Sequence, residues 1–357
     1  MASKAFDLTK FRKTLTKSID GLGIGFNDPT DWISTGNYAL NYLISGDFKK
    51  GVPLGKVTIV AGESGSGKSF LCSGNVVKNA QDQGIYVVLI DSENALDEAW
   101  LHALNVDTSE DKLLKLNMAM IDDVAKTIAE FMKEYKELVE KPKVLFVIDS
   151  LGMLLTPTDV NQFESGDLKG DMGRKPKALN ALVRNCVNMF GSHNVGMLCT
   201  NHTYASQSIF SPDPVISGGN GAIFAASIVV ALEKRKLKED EDGNKVSSVL
   251  GIRSACKVVK TRYAKPFEEI EIKIPYDRGM DVCSGLFELF EKKSIIKKDG
   301  MRYMYVDLNG EIHKYYKKEY YKNTNGILDL IMAEFDTKAK DIVSEELAEL
   351  DESEIDS

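Results

Sequence analysis

One short segment of this sequence carries residue types that bind phosphate groups. Residues 62–69 read GESGSGKS, directly after the β-rich run KVTIVAG and before a helix-forming stretch. Glycines let backbone N–H groups close around phosphate oxygens, and a helix N-terminus adds positive potential there. The segment therefore predicts a nucleoside-triphosphate site in which Lys68 reaches the β and γ phosphates and Ser69 is a ligand of Mg²⁺. The predicted nucleotide-binding residues of this loop are Gly62, Glu63, Ser64, Gly65, Ser66, Gly67, Lys68 and Ser69.

Three further apolar runs end in polar residues. VLFVIDS delivers Asp149 after a buried stretch, which predicts a second magnesium ligand. VVLIDSEN ends in Asp91 and Glu93, and we expect Glu93 to orient and deprotonate the attacking water. GMLCTN ends in Asn201 and is followed by His202, which has no second histidine or cysteine at ligand spacing. We therefore expect His202 to be a hydrogen-bonding sensor and not a metal ligand.

The runs that precede these residues predict the fold class. From residue 56 onward, short β-rich runs alternate with longer helical patterns, which is typical of an α/β protein with a mostly parallel central sheet. In such a sheet the ligand lies beyond the carboxyl ends of the strands. We therefore expect Lys68, Glu93, Asp149 and His202 to converge at one edge. The later runs SACKVVKTR and FEEIEIKIPY alternate polar and apolar residues, which predicts antiparallel strands added at the sheet edge.

The composition excludes several classes of protein. The chain has 357 residues and is 43% hydrophobic, and none of its apolar runs approaches a membrane span of about 20 residues. The N-terminus lacks the apolar segment of a secretory signal, so we expect the protein in the cytoplasm. The five cysteines are dispersed without a CxxC pair, which predicts neither disulfides nor a zinc site.

Most of the chain is electrically balanced, and its negative charge lies in one segment. The net charge is −8, but residues 341–357 hold eight acidic residues and no basic one, which leaves 45 acidic and 45 basic residues elsewhere. Such a segment is typical of a disordered solvating tail. The alternative is an acidic arm that competes with polyanions for a basic surface.

Seven segments together resemble the RecA family of homologous recombinases, and within it the phage branch typified by the UvsX recombinase. They occur in family order from about Ile33 to Phe267 and read ISTGNYALNYLI, GESGSGKS, LIDSENALDEAW, VLFVIDSLGML, TNHT, SGGNGAIFAAS and KVVKTRYAKPF. The combination is far more specific than a P-loop alone, because many unrelated nucleoside triphosphatases carry a P-loop and a strand that ends in aspartate.

The resemblance implies ATP and Mg²⁺ as cofactors and gives roles to particular positions. Glu93 matches the catalytic glutamate of the family, and Asp97 and Trp100 fall where the family contacts the adenine. His202 stands at the γ-phosphate sensor position. This position is glutamine in bacterial members, so the resemblance favours the phage branch.

The resemblance also implies catalytic residues from a neighbouring copy. Lys260 and Arg262 match paired basic residues that reach across the protomer interface to the ATP of the neighbour. Side chains alternate along a strand, so these two are expected to project from one face. Two cations from a neighbour act as an arginine finger does, with an effect of ~10³ to 10⁵ in rate where it is known. The alternative is a pair of solvated charges on an edge strand.

Two loops, residues 161–177 and 203–217, match the DNA-binding loops of the family. Phe210 in the second loop can insert between bases, which is worth ~1 to 3 kcal/mol per stacked base and tolerates any sequence. Gly218 and Gly219 would let the backbone approach phosphates. The alternative for Phe210 is an anchor on its own core, and for the basic residues it is a solvated helix start. The predicted contacts to DNA phosphates are Lys169, Arg174, Lys175, Lys177 and Arg184.

The sequence thus predicts four regions. An amphipathic helix and linker over residues 1–30 serve oligomerisation, although its apolar stripe fits packing on its own domain equally well. A RecA-like ATPase core with the DNA-binding loops spans 31–280, a small α+β domain spans 281–336, and an acidic disordered tail spans 337–357.

The function implied is DNA recombination and repair by an ATP-dependent strand-exchange recombinase. Such a protein forms a helical filament on single-stranded DNA, searches homologous duplex DNA, and works with mediator and single-strand-binding proteins. Two alternatives remain open from the residues alone. One is a hexameric RecA-fold motor such as a replicative helicase, and the other is an ATP-gated DNA-binding recombination mediator.

Overall fold

A computed structural model describes residues 6–19, 26–166, 173–204, 215–240, 244–277 and 279–340. The α-helices are α1 Leu8–Ser18, α2 Tyr38–Ser45, α3 Val77–Asp82, α4 Glu98–Ala103, α5 Ile121–Glu137, α6 Pro157–Ser165, α7 Arg174–Phe190, α8 Asn220–Ala225, α9 Leu286–Lys292 and α10 Lys317–Tyr321. A π-helix occupies Phe70–Val76, 3₁₀ turns occupy Leu151–Met153 and Thr324–Gly326, and residues 327–340 are also helical.

The strands form one large sheet and two small ones. They are β1 Trp32–Ile33, β2 Val52–Pro53, β3 Val57–Gly62, β4 Tyr86–Asp91, β5 Leu113–Asn117, β6 Val144–Asp149, β7 Val195–Tyr204, β8 Val215–Ile216, β9 Ile228–Leu237, β10 Gly251–Lys260, β11 Glu269–Pro275, β12 Lys297–Asp299, β13 Arg302–Val306 and β14 Ile312–Tyr315. The large sheet has the order β11-β10-β9-β3-β7-β6-β4-β5, with β8 paired to β7. The contacts from β9 to β5 are all parallel, which confirms the predicted α/β fold class.

The central strands are buried because helices cover both faces of the sheet. Every residue of β3 and of β6 is buried, and alternate side chains enter two separate apolar clusters. Helix α5 shows how the covering is built: Ile121, Val124, Ile128 and Met132 are buried at spacings of three or four residues. Burying such a side chain stabilises the fold by about 1.5–3 kcal/mol.

The antiparallel addition at the sheet edge is also as predicted. Strand β10 pairs antiparallel with both β9 and β11, and the inward residues of β11 are buried while its outward residues are charged. Strand β5, at the opposite edge, was not foreseen from the sequence, although Leu113, Leu114 and Leu116 carry a weak apolar signal.

The C-terminal segment packs on the core through aromatic side chains. The ring of Phe335 lies 4.8 Å from that of Tyr42 and 5.3 Å from that of Phe48, and Phe290 joins the same cluster. These residues belong to one apolar cluster with strands of the large sheet. The helix that contains Phe335 continues to residue 340, beyond the residue where the acidic tail was expected to start, and residues 341–357 lie outside the described residues.

Helix α1 has its apolar stripe exposed. The side chains of Leu8, Phe11 and Ile19 are 66%, 45% and 47% exposed, and within the described ranges the helix buries none of its residues. Of the helices in the described part of the chain, none combines the length and apolar character needed to cross a bilayer.

Candidate nucleotide-binding site

The loop between β3 and the following helix has the backbone shape that phosphate binding requires. Gly65 and Gly67 adopt φ of +73° and +95°, in the left-handed region that other residues rarely occupy. A Cβ on Gly62 would lie 2.5 Å from Oγ of Ser66 and 2.7 Å from the carbonyl oxygen of Leu232. The glycines of this motif are therefore required by backbone conformation and close approach.

Lys68 lies inside this loop with its side chain folded over the backbone. Its Nζ donates to the carbonyl oxygen of Glu63 at 2.8 Å, and the residue is 7% exposed. Burial lowers the pKa of the Lys68 amine, while the negative charges of Asp149 and Glu93 oppose that shift. The ammonium group therefore feels the charges of both the predicted magnesium ligand Asp149 and the predicted catalytic Glu93.

Asp149 ends β6 in a nearly dry environment. It is 3% exposed, and its carboxylate accepts hydrogen bonds from Ser73 at 2.8 Å and from Thr200 at 2.5 Å. Donors of this kind offset the cost of removing a carboxylate from water. The two hydroxyls come from the π-helix and from β7. The Asp149 carboxylate, the predicted magnesium ligand, is thus positioned by three elements.

The register of the sheet brings the predicted catalytic residues to one edge. Gly62 is paired with His202, and Asp91 is paired with Asp149, at the carboxyl ends of adjacent parallel strands. Nε2 of His202 lies 3.1 Å from Oε1 of Glu93. The expected convergence at the carboxyl edge is present.

Asp91 organises the loop that carries Glu93. It is fully buried, and its carboxylate accepts hydrogen bonds from the backbone N–H groups of Glu93, Ala95 and Leu96. Lys115 pairs with it at 3.1 Å. Asp91 therefore fixes the backbone behind Glu93, which leaves the Glu93 side chain to face the site.

The strand that carries His202 runs further than the sequence suggested. Strand β7 continues to Tyr204, because Thr203 and Tyr204 pair antiparallel with Ile216 and Val215. The predicted loop 203–217 therefore begins and ends in a two-stranded stem. Phe210 lies outside the described residues, so its predicted stacking on bases stays a prediction.

His202 directly precedes the first strand of the stem and is hydrogen-bonded to Ser217, which directly follows the second. The carbonyl oxygen of His202 accepts from the N–H of Ser217 at 2.8 Å. Asn201 donates from Nδ2 to the carbonyl oxygen of Ser217 at 2.8 Å and accepts the N–H of His202 at 2.9 Å. Gly218 and Gly219, with φ of +86° and +79°, then turn the chain against the start of α7. A movement of His202 would therefore reach both ends of the loop.

The other predicted DNA-binding loop is shorter than expected. Pro157 at the first turn and a capping box between Thr156 and Asp159 begin α6, which extends to Ser165, and α7 begins at Arg174. Lys169 lies outside the described residues. The ends of the predicted 161–177 loop are therefore helical.

The basic residues of α7 differ in their contacts. Lys175 donates to the carbonyl oxygen of Gly152 at 2.8 Å, and burial lowers the pKa of its amine. Arg174 donates to the hydroxyl of Thr158 at 3.1 Å. Lys177 and Arg184 are exposed on the helix. Two of the predicted phosphate contacts thus have intramolecular partners in this structure, and two are open to solvent.

Lys260 does not lie at the carboxyl edge with Lys68, because it is paired with Val229, which is paired with Ile59 toward the amino end of β3. Strand β10 is separated from β3 by β9, and Nζ of Lys260 donates to the carbonyl oxygen of Phe224 at 2.6 Å, at the end of α8. Burial and the charge of Arg262 lower the pKa of the Lys260 amine. Strand β10 ends at Lys260 after a register shift, so strand alternation does not determine the direction of Arg262, contrary to expectation.

Asp97 and Trp100 have a structural contact that the sequence did not indicate. The Asp97 carboxylate caps α4 by accepting the N–H of Trp100 at 2.7 Å. The Trp100 side chain is partly buried against the core. Their predicted contact with adenine stays a prediction.

Sequence reasoning missed several buried hydroxyls that hold the site together. Ser150 follows Asp149 directly, and its Oγ donates to Oε1 of Glu93 at 2.8 Å. Ser73 and Thr200 hold Asp149, and Ser92 holds the backbone of Ser150. The only sequence signal was a small polar residue within or next to an apolar run.

The residues present fit a magnesium nucleotide. The hydroxyl of Ser66 is buried inside the loop and has no hydrogen-bond partner within the described ranges. The Ser69 hydroxyl and the Asp149 carboxylate are the hard oxygen ligands that Mg²⁺ prefers. A cavity of about 650 Å³ lies elsewhere, between β9–β11 and the C-terminal helices, and residues 62–69 do not line it. The predicted nucleotide site is thus defined by its donor groups and not by a large cavity.

The fold and the site define a P-loop protein with a mostly parallel sheet and the predicted catalytic side chains at its carboxyl edge. The family model described as the RecA N-terminal domain matches residues 6–281. This chain belongs to the RecA family.

Known relatives agree with this assignment along most of the chain. Protein RecA of Clostridioides difficile (strain 630) is 30% identical over 305 residues, which cover 84% of this chain and 81% of that protein. Protein RecA of Geobacter sulfurreducens is 28% identical over 276 residues, or 76% of this chain and 75% of that protein. Protein RecA of a Nocardioides species (strain ATCC BAA-499 / JS614) is 29% identical over 306 residues, or 85% and 82%.

Proposed function

We propose that this protein is a DNA-dependent ATPase and strand-exchange recombinase that forms a helical filament on single-stranded DNA. One observation carries the proposal beyond family membership. His202 contacts Glu93 through its ring and the stem of the 203–217 segment through its backbone. A single residue thus touches both the hydrolytic carboxylate and the predicted DNA-binding loop.

In the proposed reaction each residue has one task. Lys68 leaves the carbonyl of Glu63 and binds the β and γ phosphates, while Glu93 orients the attacking water and accepts its proton. His202 donates its ring N–H to the γ-phosphate. Magnesium held by Ser69 and Asp149 supplies neutralisation of phosphate charge when bound.

The contact of His202 with the stem suggests that ATP orders the DNA-binding loop, an order–disorder switch of the kind other nucleoside triphosphatases use. We expect His202→Ala to lose at least about tenfold in affinity for single-stranded DNA in a non-hydrolysable ATP analogue, since one charge-assisted contact is worth about 1.5–3 kcal/mol. Fluorescence anisotropy with a labelled oligonucleotide measures this.

The control for this variant is another histidine near the same strand. His193 precedes the amino end of β7, where its ring packs on Tyr135, so His193→Ala should bind DNA as the wild type does. Wild-type affinity in His202→Ala would remove the proposed coupling.

Two features of the single chain support the proposed filament. Helix α1 exposes its apolar stripe, and Lys260 and Arg262 lie two strands away from the P-loop strand. We propose that α1 docks on an adjacent copy and that the two cations reach the ATP of a neighbour. A heterologous interface that does not close produces such a helical filament.

The assignment to the phage UvsX branch is part of this proposal and rests on His202 at the sensor position. It implies a mediator protein that loads the recombinase onto DNA coated by single-strand-binding protein, in the cytoplasm of the host cell. A strand-exchange reaction started on coated DNA, with and without such a mediator, tests this implication.

The decisive test is formation of a D-loop from a single-stranded oligonucleotide and duplex DNA in the presence of ATP. We expect product with homologous duplex and none with non-homologous duplex. Lys68→Ala should lose both the D-loop and DNA-stimulated phosphate release, since it lacks the ammonium that contacts the phosphates.

The alternatives give different outcomes. Closed rings in negative-stain micrographs, with no D-loop, would indicate the helicase-type motor. DNA binding without phosphate release would indicate the ATP-gated mediator.

A further inference from the structure

The hydroxyl of Ser150 lies between two side chains to which the proposed function gives separate tasks. Its Oγ is 2.8 Å from Oε1 of Glu93 and 3.3 Å from Nε2 of His202. The same Nε2 is 3.1 Å from the same Oε1. Ser150 is fully buried, whereas the side chains of Glu93 and His202 are 32% and 33% exposed. One fixed atom therefore stands beside two side chains that have room to move.

Ser150 is held in place because its backbone N–H and its backbone carbonyl oxygen are both hydrogen-bonded to the side chain of Ser92. The hydroxyl of Ser92 accepts the N–H of Ser150 at 2.8 Å and donates to its carbonyl oxygen at 2.7 Å. The N–H of Ser92 in turn donates to the carbonyl oxygen of Asp149 at 2.8 Å. The ends of β4 and β6 are thereby joined directly behind Glu93.

The three distances favour one arrangement of the protons. The hydroxyl of Ser150 has one proton, and the shorter contact places it on the line to the Glu93 carboxylate. Nε2 of His202 then faces two oxygen atoms that can only accept from it, a carboxylate oxygen and a hydroxyl oxygen. The tautomer that fits these contacts carries its proton on Nε2, and that N–H points toward Glu93.

We infer that Ser150 is a positioning residue that holds the Glu93 carboxylate against the ring N–H of His202, so that Glu93 and the γ-phosphate of ATP compete for one donor. The inference rests on the proposed function, which assigns this N–H to the γ-phosphate. Without a γ-phosphate, the Glu93 carboxylate, which would activate water, accepts hydrogen bonds from both Ser150 and His202. When the γ-phosphate takes the N–H of His202, Glu93 keeps the bond from Ser150 and gains a free acceptor position for water.

The first test measures nucleotide affinity and needs neither DNA nor hydrolysis. The quantity is the ratio of the Kd for ADP to the Kd for a non-hydrolysable ATP analogue, measured on one preparation so that the active fraction cancels. Glu93→Ala removes the competing acceptor, so this ratio should rise at least about tenfold, as expected for a hydrogen bond to a charged group.

The same measurement in a His202→Ala variant distinguishes competition for the His202 donor from simple charge repulsion between Glu93 and the nucleotide. Removing the negative charge of Glu93 favours the triphosphate whether or not His202 is present, whereas competition requires the imidazole. The rise caused by Glu93→Ala should therefore shrink to about two- or threefold in a His202→Ala background, which makes the two changes non-additive. An equal rise in both backgrounds would overturn the inference.

The role of Ser150 has its own readout. Ser150→Ala should raise the same affinity ratio by about threefold to tenfold and lower kcat of ATP hydrolysis about tenfold, without raising KM for ATP, because the carboxylate loses its fixed donor. Ser150→Thr keeps the hydroxyl and should restore both quantities. A purely structural serine would weaken both nucleotides equally and leave their ratio unchanged, and that result would also overturn the inference.

The two proposals can fail separately. If the wild type formed D-loops but Glu93→Ala left the affinity ratio unchanged, the recombinase function would be supported and competition for the His202 donor would be rejected. If the affinity ratio changed as expected but no D-loop formed, competition for the His202 donor would be supported and the protein would have a different function.

Discussion

Hydrogen bonds from individual buried hydroxyl groups stabilise the charged residues of the site. Thr200 and Thr58 lie on the adjacent parallel strands β7 and β3 and are 0% and 1% exposed. Thr200 donates to the Asp149 carboxylate, whereas the hydroxyl of Thr58 has no partner in the described part of the chain. Two equally buried threonines on neighbouring strands therefore have opposite energetic consequences.

Replacing each threonine by valine, which has the same shape without the hydroxyl, tests this difference. Thr200→Val should lower the free energy of unfolding by about 1–3 kcal/mol, because a buried carboxylate loses a donor. Thr58→Val should leave it unchanged or raise it by up to about 1 kcal/mol, because an unpaired hydroxyl is removed from the core. Equilibrium unfolding in urea measures both.

Magnesium dependence gives a second measurement on the same pair. Thr200→Val should raise the Mg²⁺ concentration needed for half-maximal ATP hydrolysis, because Asp149 is no longer held in place, and Thr58→Val should not. Equal losses of stability in the two variants would contradict the argument.

At the scale of elements, the connection between the ATP site and the predicted DNA-binding loop is the short stem of β7 and β8. It contains two residue pairs, so its stability depends on the turn that follows it. In that turn Gly218 has φ of +86°, and a Cβ there would lie 3.0 Å from Cδ1 of Leu179 in α7. The turn therefore fixes the stem against the helix that carries Lys175 and Arg184.

We expect Gly218→Ala to weaken ATP-dependent binding of single-stranded DNA several-fold. An alanine at positive φ costs roughly 1–2 kcal/mol of backbone strain, and the methyl group would also push the stem away from Leu179. Gly84→Ala is the matched control: its φ is +69° and nothing lies within 4 Å of its Cβ position.

Gly84 lies before β4, away from the stem, so its variant should lose similar stability and keep its DNA affinity. Thermal unfolding and anisotropy on both variants provide the comparison. If both variants lost DNA affinity equally, global destabilisation and not the stem would be the cause.

At the scale of the whole molecule, a single chain lacks part of the proposed catalytic set. Lys68, Glu93, Asp149 and His202 lie at one sheet edge, while the exposed Arg262 lies after β10, beyond β9. The proposal of catalysis at the interface between copies therefore predicts complementation between two defective chains.

Lys68→Ala and Arg262→Ala should each be inactive in DNA-stimulated ATP hydrolysis when assayed alone. In an equimolar mixture about one interface in four combines an intact Lys68 with an intact Arg262 from the adjacent copy, so about a quarter of wild-type activity should return. Hydrolysis measured across a range of mixing ratios should peak near equal amounts. No recovery at any ratio would place Arg262 outside the neighbour's site.

The sequence by itself determined the fold class and the residues at the carboxyl edge of the sheet. Buried parallel strands need continuous apolar runs, and phosphate binding needs glycines at particular positions, so both leave strong local patterns. Lys68, Glu93, Asp149 and His202 could be found this way because each directly follows or closely succeeds such a run.

Only the tertiary structure decided which partners these residues have. Ser150 donates to Glu93 and Thr200 donates to Asp149, and each bond joins residues that are distant in sequence and brought together where neighbouring strands lie side by side, so it depends on the register of the strands. The prediction for Arg262 failed for a related reason. It assumed that the strand continues through this residue, whereas β10 ends at Lys260. A hydrogen bond requires two atoms within about 3 Å, and sequence spacing specifies that distance only within one element, because packing sets it between elements.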